Sequence, residues 1–321
     1  MNFETIIFLV VGAISLFLGA DLLIRGSSTL ALRLGISPLV IGLTVVAFAT
    51  SSPELIVSVT AALKGNSGIT LGNVIGSNIC NIGLILGLSA AISPFTAQLQ
   101  IVKREIPVMI FVNVLLVVFL IGGNINRIEG SLMFLGMILY VFFSYRMALK
   151  TKDEKKEEVI NKAVSGKQMK FWVSILLILG GLLLLAAGSE LFVKGSIRIA
   201  ETLGVSDVVI GLTLVAFGTS IPELITSVVA AVKKENDLAF GNIIGSCIFN
   251  ILSIVGISSL IVPLKSTDIK IYDLIVMLAF SVLLLPLSKS GLIIKRWEGI
   301  LLFTFYLVYI AFVGIMSSVP V

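Results

Sequence analysis

The chain has 321 residues, 57% of them hydrophobic and 13% charged, with a formal net charge of +5 and a mean hydropathy of +1.13. Soluble domains carry about a quarter charged residues, so this composition excludes a soluble globular protein. The basic excess does not call for nucleic acid, since Lys and Arg of membrane proteins gather in cytoplasmic loops. Histidine is absent, which excludes His-based zinc sites, haem ligation through imidazole and Ser-His triads.

Apolar runs of about 20 residues, each long enough to cross a bilayer as a helix, recur from end to end. Taken in order they predict ten spans, over 4–24, 37–63, 70–92, 104–123, 129–148, 171–193, 206–232, 239–262, 270–288 and 298–317. The first, from Phe3 to Leu23, lacks the basic start of a signal peptide and is expected to be retained. Between the fifth and sixth spans, Thr151 to Lys170 is polar and mixed in charge, which reads as a solvated linker. Trp172 and Trp297 fall near span ends, where indole rings favour the interface. Cys80 and Cys247 lie within apolar segments and read as small buried residues.

The chain repeats itself. A constant offset of 169 relates its halves without a gap from Gly19 to Pro94. Gly19, Asp21, Arg25, Gly26 and Gly35 map onto Gly188, Glu190, Lys194, Gly195 and Gly204. The phrase Gly42-Leu-Thr-Val-Val-Ala-Phe-Ala-Thr-Ser-Ser-Pro-Glu54 returns as Gly211-Leu-Thr-Leu-Val-Ala-Phe-Gly-Thr-Ser-Ile-Pro-Glu223. A second phrase, Gly72-Asn-Val-Ile-Gly-Ser-Asn-Ile-Cys-Asn81, returns as Gly241-Asn-Ile-Ile-Gly-Ser-Cys-Ile-Phe-Asn250. Five spans per half is an odd number, so the second half enters the membrane with opposite orientation. The expectation is an all-α polytopic membrane protein of ten transmembrane helices in two inverted-topology repeats. Residues 1–149 form the first repeat, 150–170 the linker and 171–321 the second repeat. Inverted repeats are an architecture of secondary transporters, with the site at the midplane. Lys103, Arg104, the basic residues from Arg146 to Lys170, Lys289, Lys295 and Arg296 fall on one side of this arrangement. The positive-inside rule then places both termini outside and the linker in the cytoplasm.

A carboxylate at mid-membrane needs a partner or a function. Glu54 and Glu223 lie near the middle of their spans, and no Lys or Arg lies in the interior of any span to neutralise them, so the carboxyls are either protonated or share a bound cation. Proline lacks a backbone donor and clashes with the carbonyl one turn earlier, so Pro53 and Pro222 are expected to free carbonyls near Ala49 and Gly218. Broken helices are tolerated where they line a cavity. The hydroxyls of Thr50, Ser51, Thr219 and Ser220 lie in the same turns. Ser77 and Asn81, like Ser246 and Asn250, are four apart and share a helix face. Carboxylate, hydroxyl and carbonyl together make an all-oxygen site suited to hard cations such as Ca²⁺, and Na⁺ accepts the same donors.

TVVAFATSSPE and TLVAFGTSIPE, each followed by GN-[VI]-IGS, resemble the two alpha repeats of the cation/calcium antiporter superfamily, close to prokaryotic sodium/calcium exchangers. The resemblance implies four cation sites in a diamond formed by spans 2, 3, 7 and 8. The Ca²⁺ site would use Glu54, Glu223 and the carbonyls of Thr50 and Thr219. One Na⁺ site would use the Ala47 carbonyl, Ser51, Glu54 and Ser77. Its mate would use the Ala216 carbonyl, Ser220, Glu223 and Ser246, with Asn81 and Asn250 lining the middle. Some family members carry aspartate where this chain has Asn250. Two core carboxylates neutralise one Ca²⁺, whereas three Na⁺ would leave the site at +1, so stoichiometry and K⁺ dependence stay open.

The expected function is Na⁺/Ca²⁺ antiport across the plasma membrane by alternating access, by a monomer without cofactor, nucleotide or nucleic acid. The alternative is H⁺/Ca²⁺ antiport on the same scaffold. A passive cation channel is a further class, against which the inverted repeat and broken helices speak. An intramembrane enzyme would need a nucleophile with a base or paired aspartates, and an ATP-driven pump a GxxxxGK[ST] loop. The chain offers none of these.

Overall fold

A backbone in lipid must bond to itself, which leaves an apolar run little choice but the helix. The structure is a computed structural model and describes residues 3–154, 170–202, 216–267 and 269–318. Over these the chain is helical apart from four two-residue strands and the short turns and loops that join the elements. In order come α1 (Phe3–Leu34), α2 (Pro38–Thr50), α3 (Ser52–Leu63), α4 (Ser67–Ile92), β1 (Phe95–Thr96), α5 (Ile101–Ile121), β2 (Asn124–Ile125) and α6 (Arg127–Glu154). Then follow α7 (Phe171–Thr202), α8 (Ala216–Thr219), α9 (Ile221–Val232), α10 (Asn236–Ile261), β3 (Leu264–Lys265), α11 (Ile271–Lys289), β4 (Ile293–Ile294) and α12 (Arg296–Ser318). Among the described residues, eight helices are long and apolar enough to cross a membrane, and the bent pair α2 and α3 makes nine. The protein is a multi-span membrane protein. The span expected over 206–232 lies partly outside the described residues. Its described part is α8 and the 12-residue α9. Most of the linker 150–170 also lies outside them.

Several helices run past their expected ends. The first span is expected over 4–24, with Asp21 near its end and Arg25 just past it. The two pair at 2.8 Å, one turn apart, and Asp21 also meets Lys233. Their charges are satisfied on the helix surface, so the helix continues until Gly35 takes a left-handed φ of 65°. Glu190 and Lys194 pair at 2.6 Å in the same way on α7. At the start of α6, the Asn126 side chain accepts the N–H groups of Ile128 and Glu129, while Glu129 accepts that of Asn126 at 2.8 Å. This reciprocal cap satisfies donors that a helix start leaves bare. Lys295 and Glu298 repeat its second half at the start of α12.

Helices pack in membranes through close fit rather than hydrophobic drive. The antiparallel pair α1 and α7 shows this. A Cβ added at Gly19 would lie 2.8 Å from the Gly181 carbonyl, and one at Gly181 would lie 2.7 Å from that of Gly19. Burial sorts the remaining helices. In α10, 89% of the most apolar window is buried, and in α4 72%, against 11% in α12. The two repeated Gly-Asn helices therefore form the centre, and α12, α6 and α1 turn broad apolar faces outward. Trp172 and Trp297 are exposed, as interface residues are.

The contacts cross between halves. Strand β1 pairs antiparallel with β4, and β2 with β3. The offset of 169 turns Phe95 into Leu264 and Asn124 into Ile293, so each pairing is the exchanged image of the other. Gly87 against Gly299 and Gly256 against Gly130 obey the same exchange.

Candidate cation site

The site is built where two helices break. Ser51 (φ −85°, ψ 7°) separates α2 from α3 with a bend of 46°, and Ser220 (φ −90°, ψ 3°) separates α8 from α9. Pro53 and Pro222 stand in the first turn of the new helix. A missing N–H costs nothing there, while Ala49 and Gly218 lose the N–H donor they would have had; the Gly218 carbonyl is not left free, since it accepts from Ser189 Oγ at 2.7 Å. Glu54 and Glu223 follow in that same first turn. Their charges thus sit at the positive end of a helix dipole, which favours an anion.

Both glutamates are about 1% exposed, and among the described residues neither joins an ion pair. Each is met by the serine of the opposite half. Ser51 Oγ donates to Glu223 Oε1 at 2.9 Å, and Ser220 Oγ donates to Glu54 Oε1 at 3.0 Å. Ser77 Oγ lies 3.3 Å from Ser220 Oγ. Since the one proton of Ser220 goes to Glu54, Ser77 donates to Ser220. Thr219 lies beside Glu54, and Thr50 beside Glu223. The Thr50 hydroxyl is 3.0 Å from both the Val46 carbonyl and Asn242 Oδ1. The Ala47 carbonyl accepts the Ser51 N–H at 3.0 Å, and the Thr50 hydroxyl lies 3.4 Å from it. Ala216 opens α8.

The serines thus group differently from the expected Na⁺ sites. Ser51 was placed with Glu54, and Ser220 with Glu223; their hydrogen bonds go to the other glutamate in each case. Both breaks converge on one point, so each serine reaches the carboxylate of the opposite half. Among the described residues, the second oxygens, Glu54 Oε2 and Glu223 Oε2, have no hydrogen-bond partner, nor do Asn81 Oδ1, Asn250 Oδ1 and Ser246 Oγ. All five atoms are buried. Asn81 and Asn250 each open a π-helical turn, Asn81–Leu86 and Asn250–Val255. Such wider turns occur frequently at functional sites. No group of three His, Cys, Asp or Glu side chains gathers among the described residues. Any cation here meets two carboxylates and otherwise neutral oxygens. Hydroxyls that donate to carboxylates can equally turn a lone pair to a cation, which suits a site that fills and empties.

Two supporting residues went unread in the sequence. Asn73 Nδ2 donates to Ser58 Oγ at 2.9 Å and to the Glu54 carbonyl at 3.3 Å. Asn242 Nδ2 donates to Ser227 Oγ at 3.0 Å while its oxygen faces Thr50. The signal was the Gly-Asn pair in both copies of the second phrase.

Known proteins resemble the chain over nearly all of its length. A family model described as sodium/calcium exchanger protein matches twice, over residues 4–146 and 173–315. A putative antiporter, CaxA, of Alkalimonas amylolytica is 38% identical over 307 residues, covering 94% of this chain and 96% of that one. The sodium/calcium exchanger MaX1 of Methanosarcina acetivorans is 37% identical over 339 residues, with the same coverage of each. Among solved structures, the sodium-calcium exchanger NCX_Mj superposes with a TM-score of 0.84 at 35% identity, over 98% of this chain and 100% of that one. With its paired buried glutamates and a family model matched in each half, the chain belongs to the sodium/calcium exchanger protein family, a family of transporters rather than enzymes.

Proposed function

We propose that the protein is a secondary antiporter that exchanges Na⁺ for Ca²⁺ by alternating access, the two cations competing for Glu54 and Glu223. The observation that carries this reading is the pair of buried carboxyl groups that, among the described residues, have no cationic partner and each keep one oxygen without a hydrogen bond. A charged side chain at the bilayer centre costs about 3 kcal/mol even on lenient scales. One Ca²⁺ offsets both charges at once. Several Na⁺ ions can do so by sharing the carboxylates with Ser51, Ser77, Ser220, Ser246, Asn81, Asn250 and the carbonyls of Ala47, Thr50, Ala216 and Thr219. Only occupied sites would reorient, because an empty site carries two uncompensated charges across the apolar core.

In this reading residues 1–149 and 171–321 are inverted repeats of five spans each. The exchanged strand pairings and crossed serine bonds support that relation. The linker 150–170 lies in the cytoplasm, both termini lie outside, and the protein works as a monomer in the plasma membrane without a cofactor. What relatives are named for supports Na⁺ as the coupling ion: MaX1 and NCX_Mj are sodium/calcium exchangers.

The test is Ca²⁺ uptake into proteoliposomes loaded with Na⁺ and diluted into Na⁺-free buffer, with a pH gradient as control. Uptake is expected to follow the Na⁺ gradient and ignore the pH gradient. Uptake driven by the pH gradient alone would make the protein an H⁺/Ca²⁺ antiporter. Uptake without counter-ion coupling would make it a channel.

A further inference from the structure

We propose that Asn78, Asn113 and Ser281 are positioning residues, a one-way chain of hydrogen bonds that holds Asn250 with its amide oxygen turned to the transported cation. Asn250 Nδ2 donates to Asn78 Oδ1 at 3.1 Å. Asn78 Nδ2 donates to Asn113 Oδ1 at 3.3 Å, and Asn113 Nδ2 to Ser281 Oγ at 2.8 Å. Ser281 Oγ closes the chain on the Met277 carbonyl at 2.8 Å. All four side chains are at most 1% exposed.

The direction of the chain follows from chemistry. A backbone carbonyl only accepts, so Ser281 spends its one proton on Met277 and must accept from Asn113. Asn113 therefore presents its NH₂ to Ser281 and its oxygen to Asn78. Asn78 must answer with its NH₂, and a second carbonyl enforces the same choice: Asn78 Nδ2 also donates to the Cys247 carbonyl at 3.1 Å. What remains for Asn250 is the oxygen of Asn78, so Asn250 offers its NH₂ there. Its own oxygen is left buried and, among the described residues, without a hydrogen-bond partner. A buried amide oxygen unmatched by any donor is costly; a cation in the site that Asn250 lines supplies the match.

The counterpart of this contact tests the logic. The offset of 169 carries Asn250 to Asn81 and Asn78 to Cys247. Asn81 lies beside the Cys247 side chain, and among the described residues its oxygen likewise has no partner. Sulfur is a weak acceptor, and no further chain extends behind it in the described contacts. The two halves therefore grip their central asparagines unequally, Asn250 firmly and Asn81 loosely. This inference rests on the reading of the site as a cation site, not on which ion drives exchange.

The experiment is a double-mutant cycle read as cation affinity. The purified protein in detergent is titrated with CaCl₂, and separately with NaCl, at constant ionic strength set by choline chloride. Thermal stability gives the half-saturating concentration. Asn250→Ala and Asn78→Leu are each expected to raise it about tenfold, as loss of an oriented ligand does. Asn113→Leu is expected to raise it about threefold, one link further back. In the Asn250→Ala background, Asn78→Leu and Asn113→Leu are expected to change nothing more, because they act only through Asn250. Should Asn78→Leu not fold, Asn113→Leu carries the cycle alone. Full losses in both backgrounds, or unchanged affinity for the single variants, would overturn the chain. A wild type stabilised by neither cation overturns the site reading with it. Stabilisation by Ca²⁺ with the cycle closing as described, but exchange driven only by protons, leaves this inference standing and removes Na⁺ coupling.

Discussion

At the residue scale, the proposed exchange depends on two carboxyl groups buried where charge is costly. Glu54→Gln and Glu223→Gln are near-isosteric and leave an oxygen for Ser220 or Ser51 to donate to. Folding is therefore expected to survive, with the midpoint of thermal unfolding within a few degrees of the parent. Losing one charge-assisted ligand is worth about 3 kcal/mol, so Ca²⁺ affinity should fall about a hundredfold, with exchange lost at ordinary concentrations. Equilibrium Ca²⁺ binding together with flux checks this, and normal transport by either variant would remove the central claim. Glu54 and Glu223 were legible from sequence because an unpaired carboxylate in an apolar run is conspicuous. Asn78, Asn113 and Ser281 were not. Asn78 stands inside the second phrase at a position that Cys247 occupies in the other copy, so the repeat did not mark it. Asn113 is a lone amide in an apolar span, a weaker signal that burial cost alone would have raised. Only packing brings α4, α5, α10 and α11 close enough to join them.

At the element scale, the breaks at Ser51 and Ser220 and the π turns at Asn81 and Asn250 shape the site. Proline forecast the breaks but not their place. The structure seats Pro53 and Pro222 in the first turn of the following helix, which leaves the serine at the junction. A π turn has no side-chain signature, so its start at the central asparagines was not readable. The contact between α1 and α7 makes its own prediction. Leucine at Gly19 or Gly181 would drive a side chain into a carbonyl under 3 Å away. Overpacking of this kind costs about 1–3 kcal/mol, and the helices would have to part. A lowered unfolding midpoint in detergent is expected for Gly19→Leu, and a comparable loss for Gly181→Leu. Glycine at Gly314, which meets nothing within 4 Å, serves as control: Gly314→Leu should leave the midpoint unchanged.

At the scale of the whole molecule, the open question is the number of crossings. Nine helical crossings are accounted for among the described residues if α2 and α3 count as one. The ten-span reading adds the segment ending in α9, and parity then puts both termini on one side. An impermeant protease acting on intact spheroplasts should remove tags from both the N- and the C-terminus and spare the linker 150–170. Opposite behaviour of the two tags would mean an odd number of spans. A cleaved linker with protected termini would reverse the orientation drawn from Lys and Arg.

Length, hydropathy and repetition were enough to determine the class of this protein. An apolar chain without soluble stretches must be helical in lipid, and two copies of one glutamate-bearing phrase mark a shared site wherever the copies meet. The family follows from local spelling, and so does the choice of Glu54 and Glu223 as candidates, because a carboxylate in an apolar run and a helix-breaking proline are properties of single positions. Tertiary structure decided the rest. It crossed the halves, so that each serine donates to the glutamate of the other half, and left one oxygen of each carboxyl group without a partner among the described residues. It also fixed the direction in which the amide of Asn250 points. Hydrogen bonds between side chains 35 to 172 positions apart depend on how helices are placed, and no local pattern records that.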